Sequence, residues 1–154
     1  MTADALLKKL KSLGTPSYAA ILKRHGVTEP VYGVKIADLK QLLKPHRGDH
    51  DLACDLHASG VYDAQYLAGL MADAQRFTKR DLKQWLTRAN SVTICGNIVA
   101  ALAAESPHGL DLALEWIKAR KWQTAQSGWT TLSALVSIRD DAELDLPLLR
   151  KLLK

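Results

Sequence analysis

Apolar and polar positions along this chain recur in a fixed order. Four segments open alike: DLACDLHAS at Asp51, DLKQWLTRA at Asp81, DLALEWIKA at Asp111 and DLPLLRKLL at Asp145. In each, leucines follow at helical spacing behind an aspartate that can serve at or beside an N-cap. There its carboxylate accepts from free backbone N–H groups and opposes the helix dipole. A helix is predicted to begin near each of the four. Between them lies a second, more apolar set, at nearly the same intervals: YLAGLMADA around Leu70, IVAALAAES around Leu102 and TLSALVSIR around Leu135. These are the expected partner helices, with Leu70, Leu102 and Leu135 at equivalent buried sites. A single hairpin of this kind cannot bury its apolar face without a neighbour. A period of roughly 30 to 35 residues therefore predicts an all-α fold, an α-solenoid of stacked antiparallel helix pairs.

The first third is less regular but still helical. ALLKKLKSLG ends in Gly14, TPSYAAILKRHG carries Pro16 in its first turn and Gly26 past its end, and KIADLKQLLKP stops before Pro45. No stretch alternates cleanly enough to predict a strand.

Composition sharpens this picture at a few points. The 154 residues suit one domain, 1–154, large enough to bury a core without staples. No apolar run approaches the ~18 to 20 residues that cross a bilayer. The opening MTADALLKKLKSLG places lysines after its leucines and has no small-residue cleavage site, so it reads as a helix, and a cytoplasmic protein is expected. Cys54 and Cys95 lie in apolar helical patterns without a CxxC or paired histidines, which predicts reduced buried thiols. His46 and His50, with Asp49 and Asp51, form PHRGDHD, a loop-like cluster with no separate second ligand pair, and no metal site or cofactor is expected.

The formal net charge of +5 points toward a polyanion, because clustered Lys and Arg release counterions on meeting phosphates. FTKRDLKQWLTR gathers Lys79, Arg80, Lys83 and Arg88 around one hairpin, and EWIKARKWQ places Lys118, Arg120, Lys121 and Trp122 at the turn of the next. Equivalent turns of successive repeats stack along one edge. Lys83, Arg88, Lys118, Arg120, Lys121 and Trp122 are therefore the expected DNA-binding residues, meeting duplex DNA through its phosphate backbone. The other reading of these cations is solvation near helix C-termini, where they complement the dipole.

YGVKIADLKQLLK, from Tyr32 to Lys44, and SGVYDAQYLAGLMAD, from Ser59 to Asp73, resemble the opening hairpins of the bacterial DNA alkylation repair glycosylases of the AlkD type. The likeness covers most of the chain, which is shorter than the typical member by about two helical pairs. It implies HEAT-like repeats stacked into an α-α superhelix whose concave basic face holds duplex DNA, with excision of alkylated purines in active members; a monomer is expected. The family's catalytic helix opens with a Trp, three residues and an Asp. At the matching positions this chain has Ser91 and Cys95, and no acid occurs between Asp81 and Glu105. A family Arg that grips phosphate falls at Ser127 or Gly128. If activity survives, Glu105, Asp111 or Glu115 is the nearest carboxylate in sequence.

A glycosidic bond breaks through an oxocarbenium-like state that a carboxylate stabilises and a neutral thiol does not. Cys95, with no His nearby and no cation closer than Arg88, reads as packing. Trp129, on an apolar helix, reads as core. The expectation is a DNA-binding relative of the repair glycosylases with the catalytic Trp, Asp and Arg replaced. A catalytically silent scaffold for DNA structure or for a protein partner is the alternative.

Overall fold

A computed structural model describes residues 1–154. Ten α-helices and no strand make up the chain: α1 (Ala3–Leu13), α2 (Pro16–Arg24), α3 (Ile36–Leu43), α4 (His50–Ala58), α5 (Tyr62–Met71), α6 (Lys79–Arg88), α7 (Ala100–Glu105), α8 (Gly109–Ile117), α9 (Trp122–Ile138) and α10 (Leu146–Leu152). A π-helical stretch, Ile94–Val99, runs directly into α7. Helices α4, α6 and α8 form one layer. Their antiparallel partners α5, the π–α7 helix and α9 form the other, with α5 packed on the π–α7 helix and that helix on α9. The all-α stacked-pair architecture follows the sequence repeat.

The four aspartates lie near helix starts as expected, but in different roles. Asp145 caps α10, accepting from the Leu148 N–H at 3.0 Å. Asp81 closes a capping box with Thr78, accepting from its N–H at 2.9 Å. Asp51 and Asp111 sit in the first turns of α4 and α8. The cap of α4 is Asp49, which accepts from Leu52 N–H at 3.2 Å.

One apolar core runs from Leu6 to Trp116. Leu102 and Leu135 are buried, but Leu70 is only half-buried. The equivalent core triple lies one helical turn earlier, at Leu67, Val99 and Leu132, with the same spacing and no more than 8% exposed. The repeat period holds, and its register differs from the expected one by a single turn. Side chains one turn apart share a helix face, so the sequence pattern alone separates them poorly.

Buried polar groups fix how the repeats meet. The Asp63 carboxylate on α5, fully buried, accepts from the Tyr32 N–H at 2.6 Å and the Val34 N–H at 2.8 Å. This pins the extended segment between α2 and α3, where Gly33 takes φ +77° and a Cβ would lie 2.4 Å from Ala19 nitrogen. Gln65, also fully buried, donates to the carbonyls of His57 at 3.0 Å and Arg88 at 2.8 Å, and accepts from Asn90 N–H at 2.7 Å. Asn90 in turn donates to the Gly60 carbonyl at 3.1 Å, while the Thr28 hydroxyl donates to the Asn90 carbonyl at 2.8 Å. The α4–α5 turn, the α6–α7 turn and the N-terminal loop are thereby stapled together.

Candidate nucleic-acid interface

The α6–α7 turn places the residues at the expected catalytic positions. Ser91 opens the helix, its hydroxyl oxygen accepting from Ile94 N–H at 3.4 Å, which is the work of an N-cap. Cys95 is 6% exposed and is the second residue of the π stretch, with its Sγ 3.5 Å from the Val92 carbonyl. A π-turn re-aims side chains within a helix. Here it sets Gly96 against α9, where a Cβ would lie 3.8 Å from the Gln126 amide carbon. Gln126 is thus the α9 side chain beside this turn, and it is uncharged.

Gly128 faces the other way. A Cβ there would lie 2.5 Å from the Ile117 amide nitrogen and 2.8 Å from the Trp116 carbonyl carbon. The glycine allows α9 to approach the α8 backbone, and a longer side chain has no room. The structure therefore does not bring Ser91, Cys95 and Gly128 together around an open cleft. Nor do the substitute acids converge on it. Asp111 pairs with Lys79 at 2.5 Å and Glu115 with Lys83 at 2.8 Å, both across the α6–α8 face. Glu105 lies well beyond Cys95 on the same helix, about 15 Å along its axis at 1.5 Å per residue.

The cations divide into two groups. Lys79 and Lys83 on α6, with Arg76 to Asp51 at 2.9 Å, form a ladder of ion pairs joining the first-layer helices. Lys83 therefore meets its carboxylate before it meets a ligand. Hydrogen bonding and charge from Lys79 hold the Asp111 carboxyl below the usual carboxylate range. Arg88, Lys118, Arg120 and Lys121 are all exposed and belong to none of the ion pairs.

Thr87, Lys118 and Thr124 line a shallow cleft of about 420 Å³ between the α6 end and the α8–α9 turn, with Lys83 and Glu115 on its wall. Hydroxyls and ammonium groups around an open cleft suit phosphate oxygens. Trp122 stands at this turn 61% exposed, and Trp129, expected in the core, is 40% exposed.

The histidines do not gather. His50 is buried edge-on against Phe77 at 4.6 Å. His57 is 1% exposed and stacks on Trp85 at 4.0 Å. Burial, then the nearby Arg88 charge, push its pKa down to about 3. Cys54 and Cys95 are free thiols, but Cys54 is only half-buried, and that partial burial pushes its pKa up.

Sequence reasoning missed the positioning role of Asp63, Gln65 and Asn90, and also Gln126. Asp63 and Gln65 did leave a signal: they are polar residues inside the apolar run YDAQYLAGLM, where burial demands hydrogen-bond partners.

Comparison with known proteins adds three findings. A family profile described as DNA alkylation repair enzyme matches residues 6–154. Two uncharacterized proteins, Lin0241 of Listeria innocua and Lmo0209 of Listeria monocytogenes, are each 27% identical over 150 residues, covering 93% of this chain and 66% of theirs. A solved structure superposes with a TM-score of 0.92 at 28% identity, over 99% of this chain and 65% of that one. It represents a new family of proteins related to the HEAT-like repeat DNA glycosylases with affinity for branched DNA structures. The chain spans about two thirds of the length of each of these proteins.

Proposed function

From the premise that this chain belongs to the DNA alkylation repair enzyme family, we propose that it is a DNA-binding HEAT-like repeat protein that recognises DNA structure without cleaving the glycosidic bond. The observation that carries the reading is the division of charge. Along the α6–α8 face Lys79 and Lys83 each have their own carboxylate, whereas the α8–α9 turn holds Lys118, Arg120 and Lys121 unpaired beside Trp122. Phosphate contacts from such cations position a protein on DNA without reading sequence. Arg88, held by the Gln65 bond to its carbonyl, extends the same edge by one repeat.

The chemistry of the Cys95 region supports binding over catalysis. An oxocarbenium ion needs negative charge close by. The residues at the family's catalytic positions are a capping hydroxyl, a buried thiol and a glycine pressed on α8. The structural neighbour's affinity for branched DNA agrees with a role in shape recognition.

The α9–α10 groove, about 360 Å³ and lined by Trp129, Leu132, Val136, Leu149, Leu152 and Leu153 with two serines, favours the second reading, a scaffold for a protein partner.

The test is base release from methylated duplex DNA, run beside binding of undamaged duplex and a three-way junction. Binding with no released base is expected. Robust release by the wild type would overturn the reading, and loss of that release in Cys95→Ser would further make the thiol part of the chemistry.

A further inference from the structure

The exposed face of α9 carries a stripe the phosphate contacts do not use. Trp122, Gln126, Trp129, Ser133 and Val136 recur at the four- and three-residue intervals of one helix face, opposite the buried Ser127, Gly128, Thr131, Leu132 and Leu135. Trp122 and Trp129 are two turns apart, so their indoles stand about 10 Å apart along the axis. Their exposures of 61% and 40% contrast with 5% and 3% for Trp85 and Trp116, which are core. An indole this open forfeits the burial that normally retains it. Unpaired Lys118, Arg120 and Lys121 end the stripe at Trp122. Gln126, between the two rings, offers an amide that donates and accepts.

We propose that Trp122 and Trp129 are a stacking platform for unpaired nucleobases, with Lys118, Arg120 and Lys121 holding the adjoining backbone. The inference rests on the DNA-binding reading above and deepens it by naming the part of the nucleic acid that is recognised. Aromatic rings interleaved with cations take single-stranded nucleic acid without sequence preference, because every base has a π-face and every nucleotide a phosphate. In intact duplex the bases are already stacked on one another, so the rings add nothing to duplex affinity. A strand exchanged or frayed at a branch offers both groups at once. Positive charge beside the aromatic stripe is what commits it to nucleic acid over an apolar protein surface.

The experiment titrates wild type, Trp122→Ala, Trp122→Phe and Trp122→Ala/Trp129→Ala with a blunt duplex, oligothymidylate and a three-way junction, reading both anisotropy and tryptophan emission. Trp129 lines the α9–α10 groove and its loss could loosen α10, so Trp122→Ala alone, outside that groove, keeps the test decisive. Oligothymidylate and junction should quench the wild-type emission. Trp122→Ala should lose about tenfold in affinity for both, with duplex affinity changed less than threefold, and Trp122→Phe should recover most of the loss.

Equal affinities across the variants would overturn the stacking role while leaving phosphate binding in place. A uniform loss on all three ligands would do the same. Absence of binding to any DNA by the wild type would remove the DNA-binding reading and this inference with it. A concentration-dependent dimer broken by Trp122→Ala, with DNA affinity intact, would assign the stripe to protein and also overturn the proposal.

Discussion

The α6–α7 turn and the α8–α9 turn occupy equivalent places in successive repeats, yet they are built in opposite ways. At the first, Gln65 holds the Arg88 carbonyl and the Asn90 N–H, and Asn90 reaches on to Gly60 and Thr28. At the second, no such staple forms, and Lys118, Arg120, Lys121 and Trp122 stand in solvent. One place in the architecture is thus tied into the frame in one repeat and left open to solvent in the next. Cations along the chain are a poor guide to the difference: Lys83 shares a sequence cluster with Arg88 but belongs to the ion-pair ladder. Whether a charge has a partner in the fold decides what it is free to do.

The largest effect should come from breaking the stapled turn. Gln65→Leu leaves the buried His57 carbonyl and the part-buried Arg88 carbonyl and Asn90 N–H without their bonds, at a cost of about 3 kcal/mol in urea unfolding. Neutralising Lys121 at the open turn should cost under ~0.5 kcal/mol. A small loss for Gln65→Leu would mean the first turn is no more fixed than the second.

Acid sharpens the same contrast through His57, whose carbonyl is one of those Gln65 holds. Its pKa near 3 in the fold is below its ordinary 6.5, so the unfolded chain binds the extra proton. The stabilisation is fully present above the unfolded value, and falls at about 1.4 kcal/mol per pH unit as pH drops from there towards 3. His57→Phe keeps a ring on Trp85 and should flatten that limb. A limb of unchanged slope would show that His57 is not the titrating group.

The repeat period, the helix starts and the separation into two layers were legible in the sequence because they follow from apolar spacing and capping residues. The register of α5 was not, since Leu67 and Leu70 are both leucines on nearly one face. The candidate site was legible only in part. Lys118, Arg120, Lys121 and Trp122 could be read as a cluster, but the capture of Lys83 by Glu115 is a contact between successive repeats that no local pattern reveals. Gly128 looked like a lost arginine position. Its reason for being glycine is the α8 backbone 2.5 Å from where a Cβ would sit.

A smaller effect tests the pairing directly. Glu115→Gln frees Lys83 to face the cleft it shares with Lys118, and should raise DNA affinity about threefold and steepen the salt slope by about one unit. No change would show that the pair does not restrain Lys83. Smallest of all, Lys79→Gln removes an exposed rung of the ladder and should lower the melting temperature only slightly without weakening DNA binding.

The most direct measurement of the central claim is the salt dependence of junction binding by wild type and by Lys118→Gln/Arg120→Gln/Lys121→Gln. If these three meet phosphates, the plot of log affinity against log salt should flatten by about three units, at roughly 0.9 per phosphate contact. Affinity at low salt should fall with it, while the melting temperature holds. Parallel plots of equal affinity would contradict the account, because the open turn would then carry no more of the DNA than the stapled one.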